Sequence, residues 1–130
     1  MATNLYCLLM IVRDEVPVIE RCLESVSNLA TSYLICDTGS KDDTIQIIKN
    51  FMSNKNIPGE VITHEWKNFG YNKSYLLEKA QKDNLCQGAK YLFWLDADEV
   101  YLMDPKNNVS YPTKEDAARL FEFMEERTEG

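Results

Sequence analysis

Apolar runs that end on charged clusters recur along this chain, and that recurrence limits the fold more than any other feature. Leu5 to Val12 gives way to Arg13-Asp14-Glu15, Tyr33 to Cys36 closes on Asp37, and Tyr91 to Leu95 closes on Asp96-Ala97-Asp98-Glu99. Segments apolar at every position, not at alternate ones, have the pattern of strands buried on both faces. Between them lie stretches with helical spacing. Pro17 suits a first helical turn, where its missing N–H is no loss, and Ile19, Cys22, Leu23, Val26 and Leu29 share a face, predicting a helix from Val16 to Ala30. Ile45, Ile48, Phe51 and Met52 repeat the pattern, with Ser40 and Asp43 as a capping pair and a start near Lys41.

Pro58-Gly59 turns the chain into an alternating edge strand, Glu60 to His64, followed by a loop whose aromatics Trp66 and Phe69 cover the core. Leu76, Leu77 and Ala80 then face inward from a helix over Asn72 to Asn84. After Glu99 the sequence predicts a loop over 100–112. A last helix follows, capped by Thr113 and Asp116, with Ala117, Leu120, Phe121 and Met124 on one face. Alternating strands and helices imply an α/β fold with a mainly parallel sheet flanked by helices.

A chain of 130 residues with 45% hydrophobic content can bury one core, so a single domain over 1–130 is expected. Its formal charge of -7, from 21 acids against 14 bases, argues against nucleic acid or an anionic membrane as the main partner. A cation, or a phosphate bridged by one, is compatible with that balance. Cys7, Cys22, Cys36 and Cys86 lie in apolar or amphipathic segments with no C-x-x-C pair, which reads as buried free thiols in a reducing compartment. His64 is the single histidine, so multi-histidine metal sites and Ser-His-Asp chemistry have little to build on. The first apolar run is too short to span a bilayer and lacks the basic start of a secretion signal, so no membrane segment and an intracellular, cytoplasmic location are expected.

Parallel α/β sheets bind ligands at the carboxyl ends of their strands, where Asp37, Asp96 and Asp98 fall. If the pleat of the last strand runs on, Asp96 and Asp98 point the same way and two carboxylates converge. That pair suits a hard divalent cation bound to phosphate oxygens, although a solvated acidic turn has the same local pattern. Asn72 and Lys73 fall in the first turn of their predicted helix, beside backbone N–H groups that favour anions. A solvated lysine fits that position equally.

Taken with their wording, these segments resemble the nucleotide-sugar-dependent glycosyltransferases of family 2, which have the Rossmann-like GT-A fold. The matching pieces are Met10 to Glu15, Glu20 to Val26, Asp37 to Thr44, Trp66 to Lys73 and Phe93 to Glu99, in order across Leu5 to Leu102. The resemblance implies that Val12, Arg13, Glu15 and Asp37 line the pocket for base and ribose, with Asn72 and Lys73 near the diphosphate. It implies that Asp96 and Asp98 form the D-x-D motif, binding Mn2+ or Mg2+ through the donor phosphates, with a UDP-sugar as the usual donor class. Lysine stands at position 73 where the family more often has arginine, which keeps the charge but loses the two-pronged grip.

Family catalytic domains run on well beyond this length, so against them the chain is shortened at its carboxyl end. The acceptor surface and the general base of an inverting transfer belong to that later part. No residue here is assigned as the base, since a metal-bound carboxylate such as Asp98 has its proton affinity lowered by the cation. The expected function is therefore a metal-dependent glycosyltransferase domain. A non-catalytic nucleotide-sugar-binding module and an unrelated α/β phosphotransferase are the alternatives. The donor sugar, the acceptor and self-association through uncovered apolar surface stay open.

Overall fold

The computed structural model describes residues 4–103, 105–107 and 109–129. Its strands are β1 (Tyr6–Val12), β2 (Ser32–Asp37), β3 (Gly59–Thr63) and β4 (Tyr91–Trp94). Its helices are α1 (Val16–Val26), α2 (Thr44–Asn54), α3 (Phe69–Lys82), the short α4 (Asn84–Gly88) and α5 (Lys114–Glu129). The strands form one parallel sheet in the order β3-β2-β1-β4. Because Val12 pairs with Asp37, and Asp37 with Thr63, these carboxyl ends share one edge of the sheet.

The all-apolar runs of β1 and β2 are explained by a helical layer on each side. Leu8, Met10, Val12 and Ile35 pack with Ile19, Leu23, Val26, Ile48 and Met52 from α1 and α2. On the other face Cys7, Leu9, Leu34 and Cys36 meet Leu76 and Ala80 of α3 and Cys86 of α4. Each fully buried aliphatic side chain contributes roughly 1.5–3 kcal/mol relative to exposure, so these two layers supply most of the driving force. All four cysteines are buried and free, as expected, and the Cys7 and Cys86 sulfurs lie 3.0 Å apart across the second layer.

β4 departs from the expectation of a strand buried on both faces. Among the described residues it is an edge strand, paired only with β1, and Leu92 is 38% exposed. α5 covers one of its faces, where Tyr91 and Phe93 join Tyr6, Leu29, Ala117, Leu120, Phe121 and Met124. The predicted capping pair of α5 forms in both directions: Thr113 N donates to Asp116 Oδ2 at 2.8 Å, and Asp116 N donates to Thr113 Oγ1 at 3.1 Å. Of the loop expected over 100–112, residues 104 and 108 lie outside the described set.

One helix end and two helix starts differ from the sequence reading. α1 ends at Val26, and Leu29 is buried beyond it, not within the helix. α2 begins at Thr44 with no side-chain cap, because Ser40 Oγ instead accepts from Asp14 N at 2.8 Å. α3 begins at Phe69, not Asn72, because Asn68 caps it by accepting from Tyr71 N at 2.8 Å. Asn72 and Lys73 therefore sit beyond the first turn, away from its free N–H groups.

Candidate functional site

The carboxyl edge of the sheet opens into a cleft of about 580 Å³, within the range of small-molecule sites. Its floor comes from the end of β1 and the start of the following loop: Ile11, Val12, Arg13 and Glu15, with Thr38 from beyond β2. One wall is Trp66, Phe69 and Lys73 from the start of α3, and the other runs from Trp94 to Glu99. Six of the sequence-predicted site residues thus line one cavity: Val12, Arg13, Glu15, Lys73, Asp96 and Asp98. Asp37 and Asn72 are not in its lining.

Backbone geometry explains how Arg13 and Glu15 reach the cleft. Asp14 takes a left-handed conformation, φ 51°, which a short polar side chain tolerates. Its carboxylate accepts Lys41 N at 2.7 Å and Asp42 N at 3.3 Å, while Thr44 Oγ1 accepts Glu15 N at 2.8 Å. The loop after β1 is thereby laced to the loop after β2. Asp37 anchors that second loop: it is 1% exposed, and Oδ1 accepts both Gly39 N and Ser40 N at 2.8 Å. Gly39, at φ +122°, permits the turn that brings both donors round. Asp37 Oδ2 is buried with no hydrogen-bond partner.

Asn72 is fully buried, and both ends of its amide are occupied. Oδ1 accepts Lys67 N at 2.9 Å and Nδ2 donates to Glu65 O at 3.0 Å, so this side chain holds the aromatic loop and does not face the cleft. Lys73 does face it, with Nζ 4.9 Å from the Trp94 ring centroid and 5.6 Å from that of Phe69. The aromatics were expected to cover the core. Instead Trp66 and Phe69 are 42% and 56% exposed and form a wall of the site. Two large aromatics in an otherwise polar segment were the available signal.

The acidic end of β4 does not continue the pleat. β4 stops at Trp94, and residues 96–99 form a tight turn in which Glu99 N donates to Asp96 O at 2.9 Å and Asp96 N donates to Glu99 Oε1 at 2.8 Å. Glu99 is therefore spent on the turn. Asp96 and Asp98 are exposed, line the cleft, and have no side-chain hydrogen bond or ion pair among the described residues. Arg13 and Lys73 likewise form no ion pair there. The negative charge is felt nearby: burial, then Asp98, Asp42, Asp96 and Asp14, push the Glu15 carboxyl above its usual range. Burial, followed by Glu99, Asp98, Asp96 and Glu15, raises the Cys22 thiol to about 12.

Among the described residues no three His, Cys, Asp or Glu side chains are grouped to hold a metal ion. Two free carboxylates still offer hard oxygen donors of the kind Mn2+ and Mg2+ accept, provided a ligand's oxygens and water complete the shell. The donor set fits a cation that arrives with a phosphate, not one held by protein alone. No helix among the described residues is long and apolar enough to cross a membrane.

The S. aureus TarS 1-349 crystal structure superposes with a TM-score of 0.66 at 18% identity, covering 94% of this chain and 32% of that one. The same TarS fragment in complex with UDP gives 0.65, also at 18% identity, with 94% and 32% covered. These likenesses, with the four-stranded parallel sheet between helices, establish the Rossmann-like GT-A fold. In sequence, the chain is 30% identical over 117 residues to the SPbeta prophage-derived glycosyltransferase SunS of Bacillus subtilis (strain 168) and to glycosyltransferase SunS of Bacillus phage SPbeta. The match covers 88% of this chain and 24% of each relative, so the chain spans about a quarter of their length. The glycosyl transferase family 2 model matches residues 7–106, the stretch that contains all of the sheet but Tyr6, the cleft and the acidic ends of β2 and β4, and the chain belongs to that family.

Proposed function

We propose that this cleft binds the nucleotide diphosphate of a sugar donor, a UDP-sugar, with a divalent cation, for an inverting glycosyl transfer. One observation carries the reading: charges of both signs, on Arg13, Lys73, Asp96 and Asp98, face one cleft beside Glu15 and the turn-bound Glu99, with no ion pair among the described residues. Uncommitted charges of both signs suit a ligand that is itself an anion joined to a cation. The UDP complex of TarS supports a nucleotide as that ligand. Family membership supports transfer as the chemistry.

In this reading Asp96 and Asp98 hold Mn2+ or Mg2+, which when bound neutralises charge on the departing diphosphate. Lys73 and Arg13 contribute positive charge toward phosphate oxygens, and the Trp66 and Phe69 rings on one wall and the Trp94 ring on the other exclude water. Asp37, buried and outside the lining, acts indirectly, by holding through Gly39 N and Ser40 N the loop that brings Thr38 to the cleft. Val12 and Glu15 shape the cleft floor. Asn72 acts at one remove, by holding the loop that carries Trp66.

Thermal melting with UDP, in Mn2+ and in EDTA, tests the proposal. UDP at a hundred times its Kd adds about 2.7 kcal/mol of stability, and that gain is expected in Mn2+, absent in EDTA and absent in Asp98→Ala. Stabilisation by ATP with none by UDP would instead favour a phosphotransferase. Release of free sugar from a UDP-hexose separates a transferring domain from a module that only holds the donor.

A further inference from the structure

Helix α1 reaches under the Asp96–Glu99 turn at two points one helical turn apart. Cys22 Sγ donates to Asp96 O at 3.5 Å. Ser25 Oγ accepts Tyr101 N at 3.0 Å and donates its own proton to Cys22 O at 2.6 Å. Both side chains are fully buried. Between those two anchor points the methyl of Ala97, 1% exposed, enters the same core cluster as Cys22, Leu23 and Val26. The turn is thus fastened at its start, its middle and just past its end, while Asp96 and Asp98 on either side of Ala97 remain exposed in the cleft.

The geometry points to Ser25 and Cys22 as positioning residues that fix the Asp96–Glu99 turn so that both aspartates face the bound diphosphate and its cation. The inference rests on the donor-binding reading above. The physical reason lies in the turn itself, which closes on only a few hydrogen bonds of its own. β4 ends at Trp94, so no ladder holds the backbone at Asp96, and α1 supplies the missing constraint. Ser25 suits the task because its hydroxyl donates back along its own helix while its lone pair takes an N–H from outside, leaving neither group unmet. Alanine at position 25 would strand the partly buried Tyr101 N–H. Alanine at position 22 would leave the Asp96 carbonyl with its Glu99 N–H alone, whereas serine keeps a second donor there.

Isothermal titration of UDP with Mn2+, beside uridine alone, measures the effect in Ser25→Ala, Cys22→Ala and Cys22→Ser. Loss of an outer partner to a metal-binding group costs about tenfold or more in affinity. We therefore expect UDP–Mn2+ binding to weaken about tenfold in both alanine variants, with uridine unchanged and much of the loss restored in Cys22→Ser. Equal weakening of uridine and UDP would overturn the proposal, as would UDP–Mn2+ affinity unchanged in both alanine variants. Amide exchange gives a readout independent of nucleotide: in Ser25→Ala the Glu99 and Tyr101 amides should exchange faster while those of β1 and β2 do not. Unaltered exchange at Glu99 and Tyr101 overturns it too. A wild-type chain that binds no UDP would sink the donor-site reading and with it the role toward the diphosphate, whereas the exchange result decides separately whether Ser25 fixes the turn.

Discussion

At the ends of β1 and β2, the side chains of Asp14, Asp37, Ser40, Asp42 and Thr44 are spent on the protein's own backbone, whereas at the end of β4 the carboxylates of Asp96 and Asp98 bind nothing of the protein's own among the described residues. Both regions are acidic, and both sit at the same edge of the sheet. The difference lies in where the lone pairs go. Carboxylates that accept backbone N–H groups build a loop, and carboxylates left in a cleft are available to a ligand. Acidity at a strand end therefore identifies a site only after internal hydrogen bonds have been subtracted.

That contrast predicts opposite consequences for similar substitutions. The largest is expected at Asp37, whose loss strands the Gly39 and Ser40 amides; bonds to a charged acceptor contribute about 1.5–3 kcal/mol each. Because removal also eliminates the unpartnered Oδ2, Asp37→Ala should cost about 2–3 kcal/mol in urea unfolding, near one such bond. Asn72→Ala comes next. It loses one accepted and one donated neutral bond, at about 1 kcal/mol apiece, so a loss of about 1–2 kcal/mol is expected, with Trp66 fluorescence shifting as the 65–67 loop loosens.

Asp96→Asn stands on the other side of the comparison. An exposed carboxylate with no partner contributes little, so unfolding should change by less than about 0.5 kcal/mol while Mn2+-dependent UDP binding is lost. A large destabilisation there would mean the β4 turn is built like the β2 loop, and the contrast would fail.

The order of the sheet elements was legible because apolar runs and helical spacing record burial directly, and β1 and β2 are covered on both sides as their sequences imply. The edge position of β4 was not, since an apolar strand reads the same whether a neighbouring strand or only α5 covers it. Asp96 and Asp98 were legible as candidate residues, but their arrangement was not: the Glu99 side chain caps the Asp96 amide and turns the chain where the pleat was expected to continue. Asn72 shows the same limit from the other direction. Its bonds to residues 65 and 67 depend on how the loop folds back, which no local pattern encodes. The reach of Cys22 and Ser25 to the β4 turn spans more than seventy residues of sequence and is visible only in three dimensions.

Glu15 lies between the two regions and gives the smallest effect. Its backbone N–H is tied to Thr44, but its carboxyl faces the cleft, where burial first and the neighbouring aspartates second raise its proton affinity. Fold and proton thus favour each other. Glu15 contributes fully below the unfolded glutamate value of about 4.3, and that contribution is lost as pH rises through its elevated native value. Glutamine imitates the protonated form at every pH. Glu15→Gln should therefore match the wild type in urea unfolding near pH 4 and exceed it slightly at pH 7, by a margin that solvent screening keeps small. Asp42 shifts the other way, held down chiefly by its bond to the Thr44 hydroxyl, but it is present in both proteins and cancels from their difference. Salt then separates the causes, because it screens the Asp96 and Asp98 charges and leaves burial untouched. A margin that survives high salt makes Glu15 part of the buried floor, and one that vanishes makes it a reporter of the β4 carboxylates.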